Sequence, residues 1–305
     1  MKNIIIILFI FATSNLLAQP SVRALKKYME EAKKGSYKTA PASIFKDDKN
    51  ADKLINSSAE YLSDSVDRIR NKAYSLIKLI GLSSTDQSAR AAAVDILVDG
   101  ISDKNKGIAG GNINALTEYK RADFDNPSKS KLANLLNAGA PNIDKLAKLI
   151  GYLNIISASS DLKSILATNT HYKNKWAIRL ALARMEDQEA IDYLTNKLES
   201  APVGDDFIYD IVPDLIYTRQ EPVFDFIEDI INSEELNCQS ADPDSNTKIL
   251  CGYRVLEYIA YSIDNFPIAV DDYGVAIIND YEDALVEVRR WFANNPNYQL
   301  NKEIY

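Results

Sequence analysis

Residues 181–198 read ALARMEDQEAIDYLTNKL, and residues 214–231, thirty-three positions on, read DLIYTRQEPVFDFIEDII. Each stretch parses as the end of one helix, a short turn and a second helix. In the first, Ala190, Ile191, Leu194 and Leu198 fall on one face of the second helix, and Val223, Phe224, Ile227 and Ile231 repeat them in the second. Steps of three and four residues are the signature of an amphipathic helix. Recurrence at a fixed period of roughly 20–50 residues marks a chain built from stacked supersecondary units, because one helix pair cannot bury both its apolar faces.

Working outward, the same habit fills most of the chain from about residue 50. Val66, Ile69, Ala73, Leu76, Ile77 and Ile80 form one stripe, and Ala89, Ala92, Ala93, Ile96, Leu97 and Ile101 form the next. Leu256, Ile259, Ala260 and Ile263, then Ala284, Leu285, Val288 and Phe292, continue it later. Residues 70–82 and 86–101 make an earlier pair, and 106–138, 142–168 and 247–293 are further candidates. No stretch alternates like a half-buried strand. The expected fold is all-α, an α-solenoid of stacked antiparallel helix pairs. Before it, residues 22–34 read as a short basic helix and Gly35–Pro41 as a linker, so residues 19–49 precede a repeat domain over 50–305.

These pairs resemble HEAT repeats of the short bacterial type. The pieces that carry the likeness are Ile178-Arg179-Leu180-Ala181-Leu182-Ala183 with Asp187, Ala190, Ile191 and Leu194, and more loosely Arg70 to Gly81 before Asp86. The resemblance spans about residues 64–233, with Gln220 standing where the turn aspartate falls in the third copy. It implies that Arg179 with Asp187, and Arg70 with Asp86, align successive repeats, and that the product is a HEAT-like superhelix with a concave partner-binding surface.

The N-terminus reads as a cleaved signal peptide, residues 1–18. Lys2 supplies a small positive region, Ile4–Ala12 an apolar run, and Ala18 the small residue before the cut. Nine apolar residues fall well short of the roughly 20 a membrane span requires. The expected location is therefore exported, periplasmic or extracellular, and not membrane-embedded. Cys238 and Cys251 are the only cysteines, with twelve residues between them. In an exported chain they favour one disulfide, worth about 3 kcal/mol in a loop-entropy picture, over two buried thiols. With His171 the sole histidine and no Cys-x-x-Cys pair, a zinc site is not expected.

No strong catalytic constellation stands out. Gly107–Asn112 is glycine-rich but lacks the Gly-Lys-Ser/Thr of a phosphate loop, so close helix packing is the reading. Asp242, Asp244 and Asn246 open like a calcium loop, but Thr247 and Tyr253 stand where the EF-hand needs Gly and Glu. An aromatic concentration runs from Tyr253 to Tyr305, within which Tyr258, Tyr261 and Tyr273 are candidate binding residues.

Charge is the most informative functional signal. Residues 1–185 carry 28 Lys/Arg against 17 Asp/Glu, an excess of +11, whereas residues 186–305 carry 7 against 26, an excess of −19. The chain's net charge of −8 is the difference of these two halves, and it disfavours nucleic acid as a partner. Such asymmetry steers charged partners and weakens with salt. The function expected is a non-enzymatic exported scaffold binding a protein or peptide without a cofactor. Salt-sensitive self-association, basic end on acidic end, is a further option. The rival is a secreted polysaccharide hydrolase or lyase with a helical-toroid fold, for which paired carboxylates are needed and Asp205, Asp206, Asp210 and Asp214 are available.

Overall fold

A computed structural model describes residues 19–242, 244, 246–271 and 274–305; the signal peptide expected over 1–18 and the candidate Tyr273 lie outside the described residues. The chain divides into two compact units after Thr85, so the division expected at 49/50 falls inside the first unit.

The first unit holds α1 (Pro20–Lys33), α2 (Ala42–Phe45), α3 (Ala51–Ala59) and α4 (Asp67–Ser83). Proline opens α1, where its missing N–H has no intrahelical partner to lose. Leu25 and Met29 of α1, Ile44 of α2, Leu54 and Ile55 of α3 and Ile69, Ala73, Ile77 and Ile80 of α4 are all buried as α1, α3 and α4 pack on one another. Val66 precedes α4 and is exposed rather than part of that stripe. Two adjacent aspartates tie the intervening loop down. Asp47 accepts from Ser21 Oγ at 2.5 Å, and Asp48 accepts from Ser84 Oγ at 2.6 Å.

The second unit runs through α5 (Gln87–Asp99), α6 (Lys106–Leu116), α7 (Asn126–Asn137), α8 (Ile143–Tyr152), α9 (Ser159–Thr168), α10 (Tyr172–Arg184), α11 (Gln188–Leu198), α12 (Asp205–Asp210), α13 (Val212–Thr218) and α14 (Glu221–Asn232). After a two-residue antiparallel ladder, β1 (Cys238–Gln239) with β2 (Lys248–Ile249), come α15 (Gly252–Ile259) and α16 (Tyr281–Asn294). Apart from that ladder and two isolated bridges, regular structure among the described residues is helical. Aspartate or asparagine at the N-cap sets several helix starts. Asp86, Asn105, Asp125, Asp187 and Asp280 each accept backbone N–H groups that the helix cannot satisfy internally.

Many of these helices pack in pairs. We call α6, α8, α10, α13 and α15 the A helices and α5, α7, α9, α11, α14 and α16 the B helices. Each A helix packs on the next, and among the B helices α5 packs on α7, α11 on α14 and α14 on α16. The α8–α10 crossing is close. A Cβ on Gly151 would sit 2.7 Å from Ala181 Cα and 2.9 Å from Ala181 O, so only glycine permits the approach. Ala190, Ile191, Leu194 and Leu198, and their counterparts Val223, Phe224, Ile227 and Ile231, are all buried. In α5 the buried stripe is Ala89, Ala93, Val94, Leu97 and Val98, while Ala92 is exposed and Ile96 half-buried. The stripe is rotated by one position, and α5 packs on both α6 and α7.

Cys238 and Cys251 form a disulfide that ties β1 to the start of α15, with both residues buried. That bond points to an oxidising compartment. Among the described residues no helix is long and apolar enough to cross a membrane.

Candidate functional site

The A helices end in register. Tyr119 follows α6, Tyr152 ends α8, Met185 follows α10 and Thr218 ends α13, each thirty-three residues after the last. Three of the turns that follow contain a non-glycine residue in the left-handed region: Asn154 (φ 52°), Glu186 (φ 65°) and Arg219 (φ 52°). A helix end exposes carbonyls that its own turns cannot satisfy. Here side chains from neighbouring segments supply the donors. Tyr152 Oη donates to Tyr119 O at 3.1 Å, Arg121 Nε donates to Tyr152 O at 2.6 Å, and Arg184 Nη1 donates to Tyr217 O. Tyr217 Oη donates to Lys148 O at 2.5 Å, which ties α13 to α8.

Across this row of helix ends lies the segment 299–305, which makes a turn at Lys302 and Glu303. It is pinned at its start by Asp264 N–H to Gln299 O (2.9 Å) and Asn301 N–H to Ser262 O (2.8 Å). Four consecutive carbonyls then accept hydrogen bonds from the row. Arg219 Nε donates to Asn301 O at 2.8 Å, and Arg184 Nη2 donates to Lys302 O at 3.0 Å. The single Tyr152 Oη proton is shared between Tyr119 O and Glu303 O, the latter at 2.9 Å, and Arg184 Nη2 also reaches Ile304 O at 2.6 Å. The Tyr305 ring packs with centroids 5.5 Å from Tyr152 and 5.4 Å from Tyr217.

The electrostatics are unusual. Arg184 and Arg219 are 97% and 99% buried, and their guanidinium groups lie over the rings of Tyr217 and Tyr261 at 5.2 and 5.5 Å. Burial pulls Arg184 down to about 10 and Arg219 to about 9, from an ordinary 12.5. Burial likewise pushes the hydroxyls of Tyr152, Tyr217 and Tyr305 up, so they remain neutral donors throughout the physiological range.

Beyond Tyr305 the same face opens into a groove of about 220 Å³. Its floor is a network contributed by α8, α10 and α13. Asp214 accepts from Lys148 Nζ and from Trp176 Nε1, both at 2.7 Å, and Lys173 pairs with Asp144 at 2.7 Å. Burial raises the Asp144 carboxyl, but the Lys173 ammonium and the backbone N–H of Lys145 outweigh it and hold the group below the usual carboxylate value. A second concavity of about 340 Å³, lined by Lys163, Lys175, Arg179, Asp187 and Tyr193, lies against α9, α10 and α11.

The residues singled out from sequence sit as follows. Arg179 stacks on Tyr193 at 3.8 Å within its own helix pair, while Asp187 caps α11 and pairs with Lys163 of α9 at 2.6 Å, so Asp187 links neighbouring pairs. Arg70 donates to Asp64 O at 3.0 Å and to Asp67 Oδ1 at 2.8 Å, and Asp86 caps α5 through Ser88 N–H. Asp205 accepts the Gln239 N–H at 2.9 Å and so holds β1, while Asp206 and Asp210 are exposed on α12. Tyr258 and Tyr261 are half-buried against the late core, Tyr261 beneath Arg219. Asp244 N–H donates to Asp242 Oδ1 at 3.0 Å, a local turn, and Asn246 is exposed. Among the described residues no group of three or more His, Cys, Asp or Glu is placed to hold a metal ion. His171 precedes α10, where its N–H donates to Asn169 Oδ1 at 2.9 Å. In the glycine-rich run, Gly110 faces the Asn142 side chain closely, whereas Gly111 has open space.

Sequence reasoning passed over Tyr119, Tyr152, Arg184, Tyr217 and Arg219. The signal was present in the thirty-three-residue period itself, which extended back from Thr218 lands on Met185, Tyr152 and Tyr119. No protein-family model, no curated protein and no solved structure matches the chain.

Proposed function

We propose that the protein is an exported, non-enzymatic interaction scaffold, a HEAT-like solenoid whose A-helix face binds a protein or peptide partner. One observation carries the reading. The chain brings Asp144, Lys148, Lys173, Trp176 and Asp214 from three successive A helices to one groove, and a segment of the chain already lies along the adjoining helix ends, held by its carbonyls. A row of helix ends offers donors to the main chain of a peptide segment, as it does to residues 301–304. Trp176 supplies the aromatic anchor that interfaces favour, and the charged rim supplies orientation and salt dependence.

The test is quantitative affinity capture from the native cell envelope with mature protein, beside the double variant Trp176→Ala, Lys148→Glu. Partners enriched by the wild type and lost both in the variant and at raised salt support the reading. Equal capture by both forms, or none that saturates, overturns it.

A further inference from the structure

The segment 301–305 is held by its main chain. All four carbonyls from Asn301 to Ile304 are taken by three side chains, Arg219, Arg184 and Tyr152, whereas the side chains of Lys302, Glu303 and Ile304 are exposed. Carbonyl contacts carry no side-chain preference, so selectivity rests on three positions. Lys302 Nζ pairs with Glu186 Oε1 at 2.6 Å. Glu303 faces Arg121 at 3.6 Å, and the Tyr305 ring packs against those of Tyr152 and Tyr217.

The gripping groups also have capacity beyond what this segment uses. Neither Arg184 nor Arg219 has an ion pair among the described residues, and Arg184 keeps its Nε–H buried without an acceptor. The carboxylate that a ligand would bring has its own cation beside these two, Arg121, which stands 3.6 Å from Glu303. The Tyr305 ring also lines the groove at Trp176.

We propose that Tyr152, Arg184 and Arg219 form a main-chain-reading peptide site which residues 301–305 occupy in cis. Its partner in trans is a peptide segment that takes up the same turn and bears a carboxylate and, two residues on, an aromatic ring. This rests on the scaffold reading above and names the class of partner. The segment in cis is a competitor, so apparent affinity in trans falls by the fraction of time the site is free.

The experiment is fluorescence anisotropy of a labelled peptide with the sequence of residues 300–305, titrated with full-length mature protein. Tyr305→Ala weakens the cis occupant and leaves the gripping residues in place; the peptide is expected to bind it about tenfold more tightly than the wild type. Glu303→Lys, at an exposed position, does the same should Tyr305→Ala fail to fold. A peptide with Lys in place of Glu303 should bind about fivefold more weakly, a difference that Arg121→Gln abolishes. A peptide with Ala in place of Tyr305 should lose binding. Absence of saturable binding to either folded variant overturns the proposal, and so does concentration-dependent dimerisation of the variants, which would make a second copy the occupant. Either failure leaves the scaffold reading standing if envelope partners still depend on Trp176; loss of both results removes both.

Discussion

The stretch from α5 to α14 and the stretch from Ser233 to Asn297 solve the same burial problem differently. In the former, helix follows helix and each A helix packs on the next. In the latter, a disulfide, a two-residue ladder and scattered aromatic contacts hold longer irregular segments, among them Phe266 against Trp291 at 5.4 Å and Trp291 against Tyr298 at 5.9 Å. Packed helix pairs spread stability over many contacts, whereas the late region concentrates it in a few particular bonds.

The sharpest way to break that contrast is to remove the crosslink. Cys238→Ser with Cys251→Ser is expected to lower stability by about 3 kcal/mol. Urea melts of the two forms measure the loss, and amide exchange locates it. Opening confined to the segment from Ser233 onward, with α8 and α10 still protected, sustains the comparison. Uniform loss of protection across both stretches would show one cooperative block instead.

Next in size is the close crossing in the regular stretch. Gly151→Ala places a methyl group 2.7 Å from Ala181 Cα. The overpacking should cost about 1–3 kcal/mol. Gly111→Ala, on α6 with nothing within 4 Å of the added carbon, should instead gain up to about 1 kcal/mol from helix propensity. Opposite signs from the same chemical change would show that helix contact, and not glycine content, sets stability there. Smaller again is Asp187→Ala, which removes the α11 cap and the Lys163 pair and should cost about 1 kcal/mol in the same melts.

The two regions also differ in how readable they are. Ala190, Ile191, Leu194 and Leu198 announce their helix because burial on one face forces a three-four spacing, and the same four positions return thirty-three residues later. The rotated stripe in α5 was not readable, since Ala92 and Val94 are both apolar and only the neighbours decide which turns inward. The candidate site was less legible still. Recognition of the carbonyls of 301–304 leaves no side-chain signature in that segment, and its partners lie 82 to 151 residues away in sequence. Arg184, Tyr217 and Arg219 stood inside the two stretches that revealed the repeat, but an arginine beside a helix end reads from sequence as a solvated charge. Its burial depends on residues that arrive last in the chain.

The smallest effect probes the groove rather than the packing. Asp144 is held below its ordinary value of 3.8, because Lys173 and the Lys145 N–H favour the charged form more than burial disfavours it. In the unfolded chain the carboxyl takes up its proton at higher pH than in the folded one. Its contribution is therefore complete above about pH 4 and is lost as the pH falls through the depressed folded value. Lys173 is 80% exposed, so the pair should be worth less than about 1 kcal/mol. Asp144→Asn should accordingly be slightly less stable than the wild type at pH 6 and converge on it near pH 2. A difference that persists unchanged at pH 2 would assign the loss to packing, and the groove's charge network would then belong with the irregular region's particular contacts and not with the repeated ones.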